Sequence, residues 1–365
     1  MGFIIFISIA QALLIAGHIF LYVSWVKFLH LTDWRLLLVL RAGLLVLSVS
    51  FLSSSLLVHW RGNILTRAFY YSSSIWLGLL LYLFLAAWLT WTILLLAEIF
   101  SVGVSSPLLS GAVLVLGILY SAYGLVNAAN PALSRIEVTI PKLPETWKGR
   151  RAVQISDIHL GAINGERFLE RVMEKVNSVK PDIVFITGDL FDGIGDDLGG
   201  LCRPLSGLNA PLGVIFINGN HETYIGVEKA VAALSGLPVT VLRDSLIEID
   251  GVQILGIDYP APGEKKDFDS ILSNIDRDKP SILLYHSPVH ISKFKEYGTG
   301  LQLSGHTHRG QLWPLNYITR RVYRGYDSGL HREGGFSLYT STGVGTWGPP
   351  MRTGNRPEIV VIEFR

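Results

Sequence analysis

The chain of 365 residues has a single cysteine, Cys202, and almost no net charge. One cysteine excludes an intramolecular disulfide and is compatible with a cytosolic location. A formal net charge of +2 gives no global electrostatic reason to expect a nucleic-acid partner. The sequence also lacks internal repeats and low-complexity segments. We therefore expect neither a disulfide-stapled scaffold nor a basic protein that binds nucleic acid.

Apolar residues, by contrast, are abundant. They make up 49% of the chain and give a mean hydropathy of +0.39, which is too apolar for an entirely soluble protein. Long apolar runs cover residues 3–26, 36–58, 69–100 and 108–126. Because about 20 helical residues cross a hydrocarbon core of ~30 Å, we predict a transmembrane domain of four helices over residues 1–126. The first run lacks the basic start of a signal peptide, and three more runs follow it.

The distribution of lysine and arginine predicts the orientation of these spans. The first link carries Lys27 and Arg35, and the third link carries no basic residue. More basic residues lie in the second link and beyond the fourth span, namely Arg61, Arg67, Arg135, Lys142, Lys148, Arg150 and Arg151. With an even number of spans these two regions share one side of the membrane. Since basic residues favour the cytosolic side, we predict an integral membrane protein whose C-terminal domain is cytosolic.

From residue 151 the pattern changes to short apolar runs that are separated by glycine-rich turns. The runs are "AVQIS", "DIVFITG", "GVIFING", "SILLYH", "LQLSG" and the closing "EIVVIEF". A helical pattern between the first two runs indicates a βαβ unit, and Asp250-Gly251 indicates a hairpin turn. We predict a layered α/β domain with mixed sheets over residues 150–365, joined to the membrane domain by a linker over residues 127–149.

Side chains that can bind metal follow five of these runs. They are Asp157 and His159, Asp189 and Asp192, Asn220 and His221, His286, and His306 and His308. Each motif alone is compatible with ordinary turn chemistry. Ligands, however, gather beyond the carboxyl ends of strands, and two histidines at i and i+2 share one face of a strand. The five motifs together predict a metal site.

The residue types in these motifs restrict the metal chemistry. Carboxylate, amide and imidazole ligands exclude a thiolate-type structural zinc site and suit Mn, Fe or Zn in open coordination. The number of ligands exceeds the need of one ion. Two ions about 3.5 to 4 Å apart share at least one ligand, and a carboxylate is the natural bridge.

The ordered motifs resemble those of the calcineurin-like metallophosphoesterase superfamily. They are "DIH" at 157–159, "GDLFD" at 188–192, "GNHE" at 219–222, His286 and "GHTH" at 305–308. The resemblance covers residues 150–365 and none of the membrane part. It implies a four-layer α/β sandwich with mixed sheets and a site for two divalent ions, with Mn²⁺ foremost and Fe or Zn as alternatives.

The resemblance also implies roles for individual residues. One ion would be held by Asp157, His159 and His308, and the other by Asn220, His286 and His306. Asp189 would bridge the two ions. His221 would not be a ligand; it would face the phosphate, positioned by Asp192, and would protonate the leaving oxygen or stabilise the transition state. Glu222 is expected to be structural.

A closer likeness concerns two further stretches. "GHTHRGQLWP" and "STGVGTWGPPMRTGNRPEI" resemble the branch of the superfamily that contains membrane-associated bacterial phosphodiesterases, including enzymes that cleave the pyrophosphate of UDP-diacylglucosamine. The chain departs from that pattern at Arg309, where a second glycine is expected.

Several arginines are candidates for substrate contact besides Arg309. Arg320, Arg321 and Arg324 lie among tyrosines in "LNYITRRVYRGYDSGLHR". This stretch suits anionic lipid headgroups, and the competing interpretation is a solvated hairpin or loop. Arg352 is expected to return to the site and bind a phosphate, unless it is a surface residue.

Together these patterns predict a membrane-embedded phosphoesterase with two metal ions. Its expected substrate is a phosphodiester, pyrophosphate or phosphomonoester of a lipid or lipid-linked molecule, hydrolysed by metal-activated hydroxide. The alternatives are a membrane-anchored phosphoesterase for a soluble nucleotide or phosphoprotein, and a non-catalytic scaffold. The scaffold is disfavoured because every ligand position and His221 are filled.

Overall fold

The computed structural model describes residues 2–193 and 197–365. It divides into two compact units. The first unit comprises Met1–Val126 with Gly348–Met351, and the second comprises Asn127–Trp347 with Arg352–Arg365.

The first unit is built from long helices. They are α1 (Gly2–Phe28), α2 (Trp34–Trp60), α3 (Ile64–Ile99) and α4 (Ser106–Ala128), the last of which ends just inside the second unit. All four are long and apolar enough to cross a membrane by length and composition, so the predicted number of apolar helices is confirmed. At 1.5 Å per residue the 36 residues of α3 extend about 54 Å, which exceeds the hydrocarbon thickness.

Polar side chains in the first unit are used for capping and for contacts between helices. Asp33 caps α2 by accepting hydrogen bonds from the backbone N–H groups of the first turn, and Asn63 caps α3 in the same way. His18 on α1 accepts a hydrogen bond of 2.9 Å from the indole of Trp76 on α3. The buried imidazole therefore has a partner inside the helix bundle.

The second unit contains two six-stranded sheets. The first sheet consists of β1 (Ala132–Val138), β2 (Arg151–Ile155), β3 (Ile183–Thr187), β4 (Val214–Ile217), β5 (Val239–Val241) and β12 (Glu358–Phe364). Its strand order is β1-β12-β2-β3-β4-β5, and only the β12–β2 pair is antiparallel. The strands predicted around the first three metal motifs are confirmed.

The second sheet consists of β6 (Ser245–Ile249), β7 (Val252–Gly256), β8 (Ser281–Leu284), β9 (Leu301–Ser304), β10 (Gly329–Glu333) and β11 (Phe336–Thr340). Its order is β10-β11-β9-β8-β7-β6, with antiparallel pairs at both edges. The predicted hairpin joins β6 to β7 through Asp250 and Gly251, which both have positive φ. Both sheets are mixed, as predicted.

The described part of the second unit also contains seven α-helices, most of which pack on the outer faces of the two sheets. They are α5 (Glu166–Ser178), α6 (Leu198–Cys202), α7 (Asn220–Ile225), α8 (Val227–Ala233), α9 (Phe268–Leu272), α10 (Ile291–Glu296) and α11 (Leu315–Val322). The side chains of β3 alternate between two cores: Phe185 packs between the sheets, whereas Val184 packs beneath α5. Phe294 of α10 lies in a third core, on the outer face of the second sheet. The resulting arrangement is helices, sheet, sheet, helices, the expected four layers.

The structure differs from the sequence-based interpretation in two segments. The predicted linker at residues 127–149 belongs to the second unit, and its strand β1 pairs in parallel with β12. The basic and aromatic stretch after the last metal motif begins with helix α11 and is not a hairpin or loop there. The first difference arises because the strand that pairs with β1 lies at the far end of the chain.

Candidate metal centre

The predicted metal ligands converge although they are distant in sequence. Asp157, Asp189 and Asn220 follow β2, β3 and β4, which run parallel in the first sheet. His286 and His306 follow β8 and β9, which run parallel in the second sheet. The carboxyl ends of these strands deliver their side chains to one buried cluster.

One group of donors consists of Asp157, His159 and His308. Their donor atoms all lie within 4.8 Å of one another. Nε2 of His308 is 2.9 Å from Nε2 of His159 and 3.4 Å from Oδ1 of Asp157. This is the set that the resemblance assigns to one ion.

A second group consists of Asp189, His286 and His306, again with donor atoms within 4.8 Å. Asn220 joins it, because its Oδ1 lies 2.7 Å from Nδ1 of His306. Oδ2 of Asp189 is 3.1 Å from Nε2 of His286 and 3.9 Å from Nε2 of His159. The Asp189 carboxylate therefore lies within reach of both groups.

Unsatisfied polar atoms indicate that these residues fit bound cations. Nδ1 of His159 and Nε2 of His286 are buried and make no hydrogen bond of good geometry, although Oδ2 of Asp189 lies 3.1 Å from Nε2 of His286. Buried polar atoms are rarely left in this state unless an ion or water completes them. Burial lowers the pKa of His286, but the Asp189 and Asp157 carboxylates outweigh it and raise the pKa to about 9. The site thus favours positive charge at this position, which a divalent cation would supply.

The remaining donors have protonation states that suit metal ligation. Burial lowers the pKa of His306 to about 4 and holds the pKa values of His159 and His308 well below their usual range. These imidazoles are therefore neutral at physiological pH, the form that binds metal. Burial disfavours the charged form of Asp189, but the His286 charge outweighs this and lowers its pKa, so the carboxylate is ionised.

The backbone at the site is held in an unusual conformation. Most of the predicted ligands have positive φ, namely Asp157 (54°), His159 (52°), Asp189 (52°), His306 (73°) and His308 (46°). A residue with a side chain rarely adopts this region, and such strain costs of order 1–3 kcal/mol per residue. Its concentration in one cluster is typical of a functional site.

Glu222 holds two of the ligand loops together. It is fully buried, and its Oε2 accepts hydrogen bonds from the backbone N–H groups of Asp189 (2.9 Å) and Gly219 (2.7 Å). Oε1 accepts a third from Phe191 at 3.0 Å. Sequence reasoning left this residue as structural without a specific contact. The available signal was a glutamate in the first turn of a helix, the position from which a carboxylate satisfies free N–H groups.

His221 lies beside the donors and is oriented by the backbone of Asp192. Its Nδ1 is 3.0 Å from the Asp192 carbonyl oxygen and 3.8 Å from the carboxylate. Since a carbonyl oxygen only accepts, Nδ1 carries a proton and donates it. The sequence-based expectation is that Asp192 positions His221, without a distinction between its carbonyl and its carboxylate. In the structure the shorter contact is with the carbonyl. The His221 ring also lies 4.6 Å from that of His159.

A cavity of about 900 Å³ adjoins the cluster at His306. Its lining includes Tyr259, Tyr285, Tyr323, Lys293 and Arg324. The rings of Tyr259 and Tyr323 lie 5.8 and 6.1 Å from the His306 ring. Sequence reasoning did not predict Tyr259, Tyr285 or Lys293 at the site, because they lie outside the metal motifs.

The structure corrects the expectation for Arg352. Its guanidinium is fully buried, donates to the carbonyl oxygens of Gly345, Thr342 and His308, and lies 2.7 Å from Nδ1 of His308. Because these bonds occupy the donors that a phosphate would need, we assign Arg352 the role of orienting the His308 ring. The contact of 2.7 Å at Nδ1 turns Nε2 towards Asp157.

The other candidate arginines are divided between cavity and surface. Arg324 lines the cavity beside His306. Arg320 and Arg321 lie on α11 with exposed side chains and outside the donor groups. Arg309 is exposed and has φ 45°, a conformation that glycine adopts without strain. This explains physically why a glycine suits the position better.

Comparisons with known proteins identify the family of the chain. Residues 150–310 match the family described as Calcineurin-like phosphoesterase. The "Transmembrane protein with metallophosphoesterase domain" of Danio rerio is 35% identical over 271 residues, which cover 69% of this chain and 62% of the relative. An "Uncharacterized metallophosphoesterase" of Helicobacter pylori is 33% identical over 230 residues, or 61% of each chain. The match therefore spans less than two thirds of these two relatives.

A third relative is matched over nearly its whole length. An "Uncharacterized metallophosphoesterase" of Aquifex aeolicus is 32% identical over 258 residues, which cover 68% of this chain and 98% of that protein. All five strand-end motifs of this chain, from Asp157 to His308, lie within residues 150–310 of the family match. The chain belongs to the calcineurin-like metallophosphoesterase family.

Proposed function

We propose that this chain is a membrane-embedded phosphoester hydrolase with a site for two divalent metal ions. The observation that carries the proposal is the position of Asp189, whose carboxylate lies within reach of both groups of donors. One ion would be held by Asp157, His159 and His308, and the other by Asn220, His286 and His306, with Asp189 between them. When bound, such ions supply Lewis-acid activation of water and neutralise charge on phosphate oxygens.

The chain's own residues would orient the metal ligands and protonate the leaving oxygen. Glu222 fixes the backbone on which Asp189 and Gly219 lie, and Arg352 fixes the His308 ring. His221 donates a hydrogen bond from Nδ1 to the Asp192 carbonyl oxygen, which leaves Nε2 available to face a substrate. As an imidazolium, His221 would deliver its Nε2 proton to the leaving oxygen as the ester bond breaks, and it would end as a neutral ring that keeps the Nδ1 proton.

The donor set also restricts the choice of metal. Two carboxylates, one amide and several neutral imidazoles form a ligand set of intermediate hardness. The set lacks the thiolates that select zinc in structural sites. We propose Mn²⁺ as the resident ion, with Fe or Zn as the alternatives that metal analysis of the purified protein would distinguish.

For the substrate we propose a lipid or lipid-linked phosphodiester, pyrophosphate or phosphomonoester. Four apolar helices support a location in the membrane, and the tyrosine-lined cavity beside His306 offers space for a group larger than phosphate. Lys293 and Arg324 add positive charge to its wall. The basic residues near the spans support a cytosolic catalytic domain, so the substrate would come from the cytosolic leaflet.

The proposal is tested with the full-length chain purified in detergent and supplied with Mn²⁺. The variant Asp189→Asn keeps the shape of the side chain but not its charge, whereas Asp278→Asn changes an exposed carboxylate far along the chain. We expect Asp189→Asn to lose metal and hydrolysis of bis(p-nitrophenyl) phosphate, while Asp278→Asn keeps both. Equal metal content and equal rates in the two variants would refute the proposed site.

The same preparations distinguish the substrate classes. Faster hydrolysis of a lipid-linked pyrophosphate than of nucleotides or phosphopeptides supports the lipid proposal. The reverse preference would favour a membrane-anchored enzyme that acts on soluble phosphoesters. No hydrolysis of any of these esters by a metal-loaded protein would favour a scaffold.

A further inference from the structure

Helix α11 has an apolar face that no other described residue of the second unit covers. The side chains of Leu315, Ile318 and Val322 follow one another at helical spacing and are 39%, 62% and 66% exposed. Trp313, just before the helix, is 41% exposed. Large apolar side chains gathered on one helix face are unfavourable in water, so the face requires a partner.

The helix is attached to the second unit by the side next to this apolar face. Asn316, Thr319 and Tyr323 are partly buried, and Tyr323 lies beside the His306 ring. Val322, Tyr323 and Arg324 also form part of the wall of the cavity. The exposed face is therefore a fixed feature at the rim of the site.

The polar side of α11 carries only positive charge. Arg320, Arg321 and Arg324 are exposed, and residues 313–324 include no acidic residue. Within residues 2–193 and 197–365, no carboxylate forms an ion pair with these arginines. Their charge is thus available to an external anion.

This combination selects one kind of partner. A helix with an apolar stripe, a flanking tryptophan and arginines on its polar side suits the interface of a bilayer that contains anionic lipids. A soluble acidic protein would match the arginines but not the apolar stripe beside them. A second copy of the chain would bring like charges together.

We propose that α11 docks on an anionic lipid surface, with Leu315, Ile318 and Val322 inserted among the acyl chains and the arginines at the phosphates. Docking would hold the mouth of the cavity at the level of the headgroups. The proposal rests on the membrane location in the proposed function, but not on the identity of the substrate.

The test places a reporter on the apolar face. Ile318→Cys in the full-length chain is labelled with the environment-sensitive dye NBD and reconstituted into nanodiscs of phosphatidylcholine, with or without phosphatidylglycerol. Lys229→Cys on α8 is the control, since it is exposed on another short helix, and the native Cys202 is buried. Spin-labelled lipids report contact between the dye and the acyl chains by quenching.

We expect blue-shifted, lipid-quenched emission at Ile318→Cys that increases with phosphatidylglycerol, and neither effect at Lys229→Cys. Emission equal to the control would overturn the proposal. So would a blue shift without quenching by lipid, because it would mean that protein covers the face.

A catalytic readout separates this proposal from the proposed function. Ile318→Glu changes the apolar face without touching the donor groups, so hydrolysis of bis(p-nitrophenyl) phosphate should remain at the wild-type rate. Hydrolysis of a lipid-linked pyrophosphate in nanodiscs should fall at least about tenfold through the loss of interfacial binding. Equal rates on the lipid substrate would overturn the docking role, whereas an inactive wild-type protein would refute the proposed function instead.

Discussion

Replacing Gly219 with alanine tests whether the Asp189 carboxylate lies where the structure places it. A Cβ atom at this position would overlap Oδ1 of Asp189 and lie 2.7 Å from its backbone nitrogen. Real Cβ atoms do not approach so closely, and a backbone atom cannot rotate away. Gly219→Ala must therefore shift either the loop after β3 or the start of α7.

Gly165 provides a matched control for the effects of the mutation on the backbone. Both glycines precede a helix as the N-cap, with φ −111° and ψ −168° at Gly219 and φ −93° and ψ −174° at Gly165. Alanine can adopt both conformations, and nothing lies within 4 Å of a Cβ at Gly165. The effects on chain entropy and on capping are common to the two variants, so their difference isolates the overlap with Asp189.

We expect Gly219→Ala to be less stable than Gly165→Ala by about 1–3 kcal/mol, the usual cost of overpacking. A displaced carboxylate should also lower the rate on bis(p-nitrophenyl) phosphate by about 10²-fold. Thermal unfolding, Mn²⁺ content and kcat of the two detergent-purified variants provide the comparison. If they agree in all three measurements, Asp189 does not occupy the position on which the proposed site depends.

Three further predictions concern residues around the centre. His221→Ala should lower kcat by about 10²- to 10⁴-fold with metal content unchanged, because it removes the proton donor and no ligand; an unchanged kcat would exclude His221 from the reaction. Arg352→Lys should lower the free energy of unfolding by about 2–4 kcal/mol, since an ammonium group cannot replace the guanidinium at several carbonyl oxygens at once, and an unaltered melting temperature would contradict this. Arg309→Gly should be more stable than Arg309→Ala by about 1 kcal/mol, because only glycine adopts φ 45° without strain. Equal melting temperatures for the two Arg309 variants would show that this strain is absent.

The strands that carry the metal motifs could be predicted because each is a short apolar run between glycine-rich turns. The β3 sequence "IVFIT" is buried on both faces, and five residues are too few for a typical helix. By contrast, β1 alternates between half-buried and exposed residues and obtains its hydrogen bonds from β12, more than two hundred residues away. A local pattern does not contain that pairing, so the sequence alone predicts a linker over this segment.

Arginine roles were the least predictable part of the site. In the sequence, Arg352 and Arg324 are both basic residues in polar segments, yet the first is fully buried among carbonyl oxygens and the second lines the cavity. The difference depends on which backbone groups each guanidinium meets after folding. Residue type predicts what a side chain can bind, but burial and competing acceptors decide what it does bind.

The proposed ligands are divided between the two sheets, so the geometry of the candidate metal centre depends on the core that packs the sheets together. Each proposed ion would take ligands from both sheets: Asp157 and His159 from the first sheet would need His308 from the second, and Asn220 would need His286 and His306. Neither sheet alone carries a complete set. The apolar layer between them, which includes Phe185 and Ile282, therefore sets the distances between donors. Close packing transmits a change of volume in that layer to the ligands, so a substitution there can weaken metal binding without touching a ligand.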